Sequence, residues 1–518
     1  MAITNKKDGG VLLVKGLDVS KPAEYITEQN CSQCQNVEVV ESLIKKRAGS
    51  TVIDEVIGGT GIEIMAGRQF SRQGVSYNVR YGLDKTEVYD AVNEEWDNIT
   101  YQAVATDTDW TGDTDDIFDT SIVLLSGAEI IVAANGKDVM QKWTGSGLST
   151  VLGGSPPVPK YIQEYKTYLV AANIAGGVDV DQRVQWSDTA DPENWSTGNA
   201  GSVDLIEDGE GITGINLYGN YLCVHKPSSI SLGFLVSSSS IFQFDRRATG
   251  AGTVANNSIV NLPSGEQVFL SKDGIRLFNG ITAPLIPSPI NDEIRSSLNT
   301  EKAHKAYGLL VKEKDEVWIG VPIGSQEYGE TIYKYNYITG ALHKDLRVSA
   351  SIMWRGSSTN TFAWDDFDDT ITWDDVQERW DDVAWSTDSE QINIGRTDGF
   401  VYKVDKTVFT DNGTVVDAFW DSKDFQISQD MIGRWKRMEL WATGSDVNVY
   451  YSIDAGDNWT EISNSPLTLA STMPTYESPL ILYFDLIAST IRFRFKNITN
   501  NLAIKQFIME YVSRENRR

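Results

Sequence analysis

Cysteine and histidine are nearly absent, with three of each in 518 residues. Cys31 and Cys34 form a lone Cys-x-x-Cys pair and Cys223 stands far away, so no disulfide framework is available. A zinc site needs two further ligands beside that pair, and His225, His304 and His343 are scattered. The thiols therefore read as inert, and no cofactor is expected. Basic residues are outnumbered, 45 Lys and Arg against 72 Asp and Glu, giving a net charge of −27. That balance argues against gripping a phosphate backbone, which takes clustered Lys and Arg. It fits an ordinary acidic protein, or a surface that stays near nucleic acid without adhering to it. No uninterrupted apolar run reaches the roughly 18 residues of a membrane span. Met1 to Gly10 carries Lys6 and Lys7 but no apolar core of signal-peptide length, so synthesis in the cytosol is expected.

Signatures of catalysis are missing too. The chain contains no P-loop, Gly-x-Ser-x-Gly or His-Glu-x-x-His motif. Asp113, Asp115 and Asp116 are closely spaced carboxylates without the glycine and distal glutamate of an EF-hand. Glu207 to Gly211 is glycine-rich but acidic, the wrong sign for cradling phosphate. The expectation is a protein that is not an enzyme.

What the chain has in plenty is strand and turn. Runs such as Val75 to Gly82, Tyr168 to Asn173, Tyr221 to His225, Val317 to Val321 and Ile392 to Ile394 are β-rich and bounded by polar turns. Asp273-Gly274 and Asp398-Gly399 supply the positive φ angles that tight hairpins need. Strand starts recur at roughly 50-residue intervals, the spacing of four-stranded propeller units. Only Asp292 to Tyr307 reads as a helix.

The expected fold is all-β: a propeller of about six or seven blades with flanking β regions, a series of sandwiches being the alternative. Residues 1–52 form an N-terminal β arm ending in the basic cluster Lys45-Lys46-Arg47, which suits a solvated strand end or an acidic neighbour better than DNA. Residues 53–410 form the propeller-like domain. Residues 411–518 alternate apolar and polar positions like the strands of an antiparallel sandwich, most plainly at Val447 to Ser452 and Ile491 to Lys496.

Two local patterns stand out. Within 361–390, Trp-Asp-Asp recurs at Trp364, Trp373 and Trp380, followed by Trp385, and eleven acidic residues face one basic, Arg379. The intervals of nine, seven and five are all odd, so a single strand would put alternate rings on opposite faces. The segment reads as short hairpin-like units that bury rings and display carboxylates, joining the propeller to the last domain and making subunit contacts. Its carboxylates lack the ligand spacing of a metal site. The second pattern, Ser452-Ile-Asp454-Ala-Gly456-Asp-Asn-Trp459, fits an Asp-box, a structural hairpin in which Ser and Asp bond turn amides and Trp packs beneath.

Several stretches taken in order resemble the tail tubular protein B or tail nozzle (hub) family of short-tailed bacteriophages, with packaged-DNA stabilisation tail proteins as looser relatives. They are Asn36 to Gly49, Val184 to Trp195, Gly219 to Ile230, Val268 to Gly280, the tryptophan ladder and Arg434 to Arg437, and together they span nearly the whole chain. The resemblance implies a structural virion protein, a β-propeller with flanking β domains, assembled in the host cytoplasm as a homo-oligomeric ring, typically a hexamer. The ring would sit below the portal and the tail adaptor, touch other tail proteins, and pass genomic DNA without reading its sequence. It carries no catalytic residues with it. Two alternatives stay open: a host-surface propeller that binds or hydrolyses carbohydrate, and a head-completion plug that retains DNA. Burial of each ladder ring is worth roughly 2–3 kcal/mol. Trp373→Ala with Trp380→Ala is thus expected to weaken folding or assembly by several kcal/mol, and wild-type melting together with wild-type assembly would contradict it.

Overall fold

The computed structural model describes residues 4–6, 11–12, 16–19, 21–40, 43–53, 62–90, 93, 95–102, 110–176, 180–237, 240–286, 288, 290–358, 389–426, 431–463 and 465–515. Trp364, Trp373, Trp380 and Trp385 lie outside them.

The described chain is all-β and propeller-like. Seven small sheets follow one another; the first six are antiparallel and wind up and down so that successive strands are neighbours, and the seventh starts in the same way. Their first strands are Ile64–Arg72, Asp119–Leu125, Pro159–Tyr165, Gly214–Tyr218, Val260–Asn261, Tyr307–Val311 and Ala350–Ser358. Five of the sheets have four strands and the fifth in order has three. First strands of successive sheets pack side by side, and Ala350–Ser358 packs against Ile64–Arg72, which returns the series to its start. Between the fourth and fifth sheets the short 3-10 turn Asn256–Ser258 fills the gap.

Apolar side chains between neighbouring sheets form separate small cores. Phe70, Tyr81, Trp110, Phe118 and Trp143 meet between the first and second sheets, and Tyr165, Trp186 and Phe242 between the third and fourth. Edge-to-face packing recurs there, as in Trp110–Phe118 at 4.8 Å and Trp186–Phe242 at 5.0 Å.

The seventh sheet is closed by a strand from far upstream. Gly49–Val52 pairs antiparallel with Val401–Asp405, and Thr410–Asp411 and Thr414–Val415 add a hairpin beyond it. Its first hairpin pairs Ser358 with Ser389.

Two seven-stranded sheets complete the described fold, both woven from the two ends of the chain. In one, Leu502–Glu515 pairs with Met431–Gly444 on one side and with Leu43–Lys46 and the first strands on the other. In the other, Thr490–Asn497 lies between Ala418–Asp421 and Asp446–Ser452, and Gln33–Gln35 extends the row. Rings of both meet at Phe507, which lies 5.2 Å from Phe495, 5.9 Å from Phe425 and 6.4 Å from Trp420. Residues 1–52 thus contribute strands to three sheets.

Some local expectations are corrected. The α-helix is only Ile290–Ser297; Ser296 and Ser297 turn their hydroxyls onto the Glu293 carbonyl, a local competition with further helix. Neither Asp273 nor Asp398 takes a positive φ; the glycine after each does, at +135° and +86°.

The basic cluster is not solvated. Arg47, 1 % exposed, donates to both oxygens of Asp411 at 3.0 and 2.6 Å and through Nε to Asn36 at 2.9 Å. Arg347, also buried, shares Asp411 at 3.4 Å. Lys46 is buried against Asn497 and the Thr499 carbonyl. Beside them Lys334 lies 2.5 Å from Asp345 and 4.1 Å over the Trp318 ring, while Lys314 reaches Glu38 at 2.6 Å. Burial opposes the charge of Asp411, but the two arginines prevail and hold its carboxyl down at about 2. Removing one member of a buried pair strands the other charge, a loss of about 3–5 kcal/mol. Asp411→Ala is expected to destabilise the protein by that order in urea unfolding, and a loss below about 1 kcal/mol would show that the two arginines find other partners.

Candidate functional site

The first strands of six of the seven sheets, together with the 3-10 turn before the fifth, converge on an axial cavity of about 390 Å³. Its lining mixes apolar and polar side chains. Arg68 and Gln69 come from the first sheet, Asp119 from the second, Gln163 from the third, Asn216 from the fourth and Arg355 from the seventh, with Asn256 and Asn257 from the 3-10 turn. A second cavity of about 310 Å³ shares Phe118, Asp119, Asn256 and Asn257 with it and opens among Asp113, Asp115, Asp116, Lys160 and His304.

Asp119 is the acid of this axis. Its oxygens accept N–H groups from Thr120 and Ile162, both at 2.9 Å, so the side chain ties the second sheet to the third. Burial wins over those bonds and pushes its carboxyl up to about 6. Arg68 is open to the cavity yet deep within the ring of sheets, and burial pulls its guanidinium below the usual range. Arg355 donates Nε to the Leu310 carbonyl at 2.9 Å and lies 3.7 Å from Glu313.

At the mouth, Asp115 gathers cations from the loop before the sixth sheet. Lys302 Nζ lies 2.7 Å from it, Lys305 Nζ 3.1 Å and His304 Nε2 3.6 Å, and Lys305 also meets Glu327 at 2.8 Å. These partners outweigh burial and hold Asp115 down at about 2. Asp113 and Asp116 fold their own loop, Asp116 accepting from the Asp113 amide at 3.0 Å. The acidic Glu207–Gly211 stretch is likewise internal: Asp208 binds Lys226 and Ser229, and Glu210 binds Ser228.

The Asp-box residues stand together at one turn. Ser452 donates to Asp454 at 2.6 Å and accepts the Gly456 amide at 2.9 Å, while Asp454 accepts the Asn458 amide at 3.0 Å. Gly456, at φ +96°, lets the chain reverse against Arg492. Trp459 is half-buried under the Arg494 guanidinium, 4.2 Å away, which is clasped in turn by Asp421. The fold does not bring this turn to the axial cavity.

The three cysteines are buried, and Cys31 and Cys34 lie in the core of the large sheets. Burial pushes the Cys31 thiol well above its usual range. His225 sits between Cys223 Sγ at 3.2 Å and Gln267 at 2.8 Å, and burial lowers it to about 4, so it is neutral. Among the described residues no three His, Cys, Asp or Glu side chains converge to hold a metal ion, and no helix is long and apolar enough to cross a membrane.

No protein-family model matches the chain, and no curated protein matches it in sequence. Among solved structures it is similar to the extracellular domain of the hybrid two component system BT4673 from B. thetaiotaomicron, at 9 % identity and TM-score 0.41, over 80 % of this chain and 47 % of that one. The chain spans about half the length of that protein. BamB from Moraxella catarrhalis is similar at 9 % identity and TM-score 0.34, over 69 % and 97 %. An exo-beta-1,3-galactanase from Phanerochaete chrysosporium follows at 9 % identity and TM-score 0.28, over 90 % and 100 %. Likenesses this distant carry no argument about chemistry, and the architecture rests on the strand pairings above.

A pH dependence follows from Asp119. Its folded carboxyl titrates near 6 against about 3.9 when unfolded, so the stability it contributes is full below pH 4 and is lost as pH rises through 6. Compared with Asp119→Asn, the wild type is expected to lose up to roughly 3 kcal/mol between pH 4 and 7.5. Parallel stability curves for the two proteins would contradict that.

Proposed function

We propose that this chain is a structural, non-enzymatic protein of a bacteriophage tail. In this reading the seven small sheets are the blades of a seven-bladed propeller and the two large sheets form a sandwich. Copies of the chain, typically six, build a ring in the virion tail that continues the DNA channel below portal and adaptor and helps retain the packaged genome. The ordered resemblance along the chain supports the family, and one structural observation carries the assembly.

That observation is the edge strand Leu480–Ala488. It pairs with Met431–Gly444 on one side and has no strand partner on the other among the described residues. Its nine residues, LILYFDLIA, contain no proline or lysine and a single charge, Asp485, which Arg434 clasps with Nε at 2.6 Å. Tyr483 and Ile487 are 55 % and 65 % exposed. Edges of monomeric proteins are usually blunted by charge, proline or a bulge, because an open one recruits another strand. The pairing carries one register shift, opposite Trp435 and Arg437. The edge still has no proline and its one charge is neutralised, and such a long apolar edge suits a chain that meets its own copies.

The axial cavity of one chain is of small-molecule size. Genome passage in this proposal therefore uses the hole of the assembled ring, where a net charge of −27 per copy lets DNA slide without adhering. Light scattering and electron micrographs of purified protein are expected to show rings. Tyr483→Lys with Ile487→Lys is expected to weaken assembly roughly tenfold or more while melting stays near wild type. A protein that remains monomeric under every assembly condition and is absent from particles would overturn the proposal.

A further inference from the structure

The charge of the axial cavity runs against the charge of the chain. In a protein of net charge −27, its lining carries two guanidinium groups and one carboxyl. Arg355 has a counter-ion in Glu313. Arg68 differs: Nη1 donates to the Thr120 carbonyl at 3.1 Å, and among the described residues its other N–H groups meet no acceptor and no carboxylate lies within ion-pair distance. The nearby acid, Asp119, has its two oxygens engaged by the Thr120 and Ile162 amides.

The Arg68 side chain is exposed within the cavity, so a guanidinium with one neutral partner stands open to an anion that can pair with it. The Thr120 bond fixes one arm of the fork and leaves the rest of a planar donor set facing the cavity. Such a set matches the oxygens of carboxylate or phosphate. Around it stand amides with spare capacity: Asn257 has no hydrogen-bond partner among the described residues, and Gln163 uses Nε2 on the Glu164 carbonyl at 2.9 Å while its carbonyl oxygen is free there. A volume near 390 Å³, walled by strands of six sheets and the 3-10 turn, is at the small end of ligand pockets.

We propose that the axial cavity is a binding site for one small oxyanion, a phosphate or carboxylate group on a molecule no larger than a monosaccharide, with Arg68 as its counter-ion and Asn257 and Gln163 as hydrogen-bonding partners. The site goes beyond the structural role in the tail and does not depend on ring formation. It gives the ring of sheets a central ligand that neutralises Arg68 and draws the first, second and third sheets together.

The test uses the full chain in thermal melts and titration calorimetry at constant ionic strength. Inorganic phosphate and glucuronate are the two anionic probes, and glucose and added chloride are the controls. The expected result is a saturable rise in melting temperature and a stoichiometry of one per chain for phosphate or glucuronate, whichever head group fits. Neither control should give it. Arg68→Gln should abolish the response while Lys160→Gln, at the mouth, keeps it. If Arg68→Gln does not fold, Arg68→Lys keeps the charge without the fork and is expected to bind at least tenfold more weakly. No response to either anion, an equal response to glucose or chloride, or an undiminished response in the Arg68 variant would overturn the proposal.

Discussion

Everything in this fold hangs on one carboxylate, Asp411, held between Arg47 and Arg347. Arg47 lies at the end of the strand Leu43–Lys46 of a large sheet, immediately before Gly49–Val52, the strand that closes the seventh small sheet. Arg347 follows the sixth sheet, and Asp411 lies in the hairpin beyond the seventh. Three distant stretches therefore meet at one ion triad, and the ring of sheets is locked to the double sheet there. Since the arginines are buried, the triad adds less net energy than its charges suggest. What it secures is register: no other carboxylate reaches both arginines at ion-pair distance among the described residues.

The same economy of charge runs through the molecule. The acids at the cavity mouth are bound to lysines, the acidic glycine-rich loop clamps a neighbouring turn, and Asp421 and Asp424 hold the arginines of Thr490–Asn497. Arg68 differs: it is open to the axial cavity and no carboxylate lies within ion-pair distance of it among the described residues. The chain as a whole is acidic, while the axial cavity is lined by two arginines and one aspartate.

Much of the fold could be read from apolar patterning alone. Thr490–Asn497 follows the period of two because one face is covered and the other is not, whereas Val75–Gly82, Tyr168–Ile174 and Tyr221–His225 are apolar runs covered on both faces over most of their length. The Asp-box turn was legible because its bonds span only a few residues. The triad was not: Arg47 and Asp411 are 364 residues apart, and a basic cluster at a strand end looks the same whether it is solvated or locked. Arg68 and Asp119 were missed for a related reason. Each is a polar residue in an alternating strand, and only closure of the ring turns the polar face inward. The helix was overread because Asp292 to Tyr307 has a helical composition, while its serines and the turn at Ala303–Lys305 end the helix early.

Closing the ring with Gly49–Val52 has a consequence for how the chain is made. On the ribosome that strand emerges some 350 residues before Val401–Asp405, its partner. Until then the first six sheets can form their hairpins, which are local, but the ring has no seam. Long-range pairings of this kind pay loop-closure entropy before any contact rewards it, so the last step is slow. During that wait two strand edges and the apolar flank of Ile64–Arg72 stay uncovered. A net charge of −27 would keep such unfinished chains apart from each other.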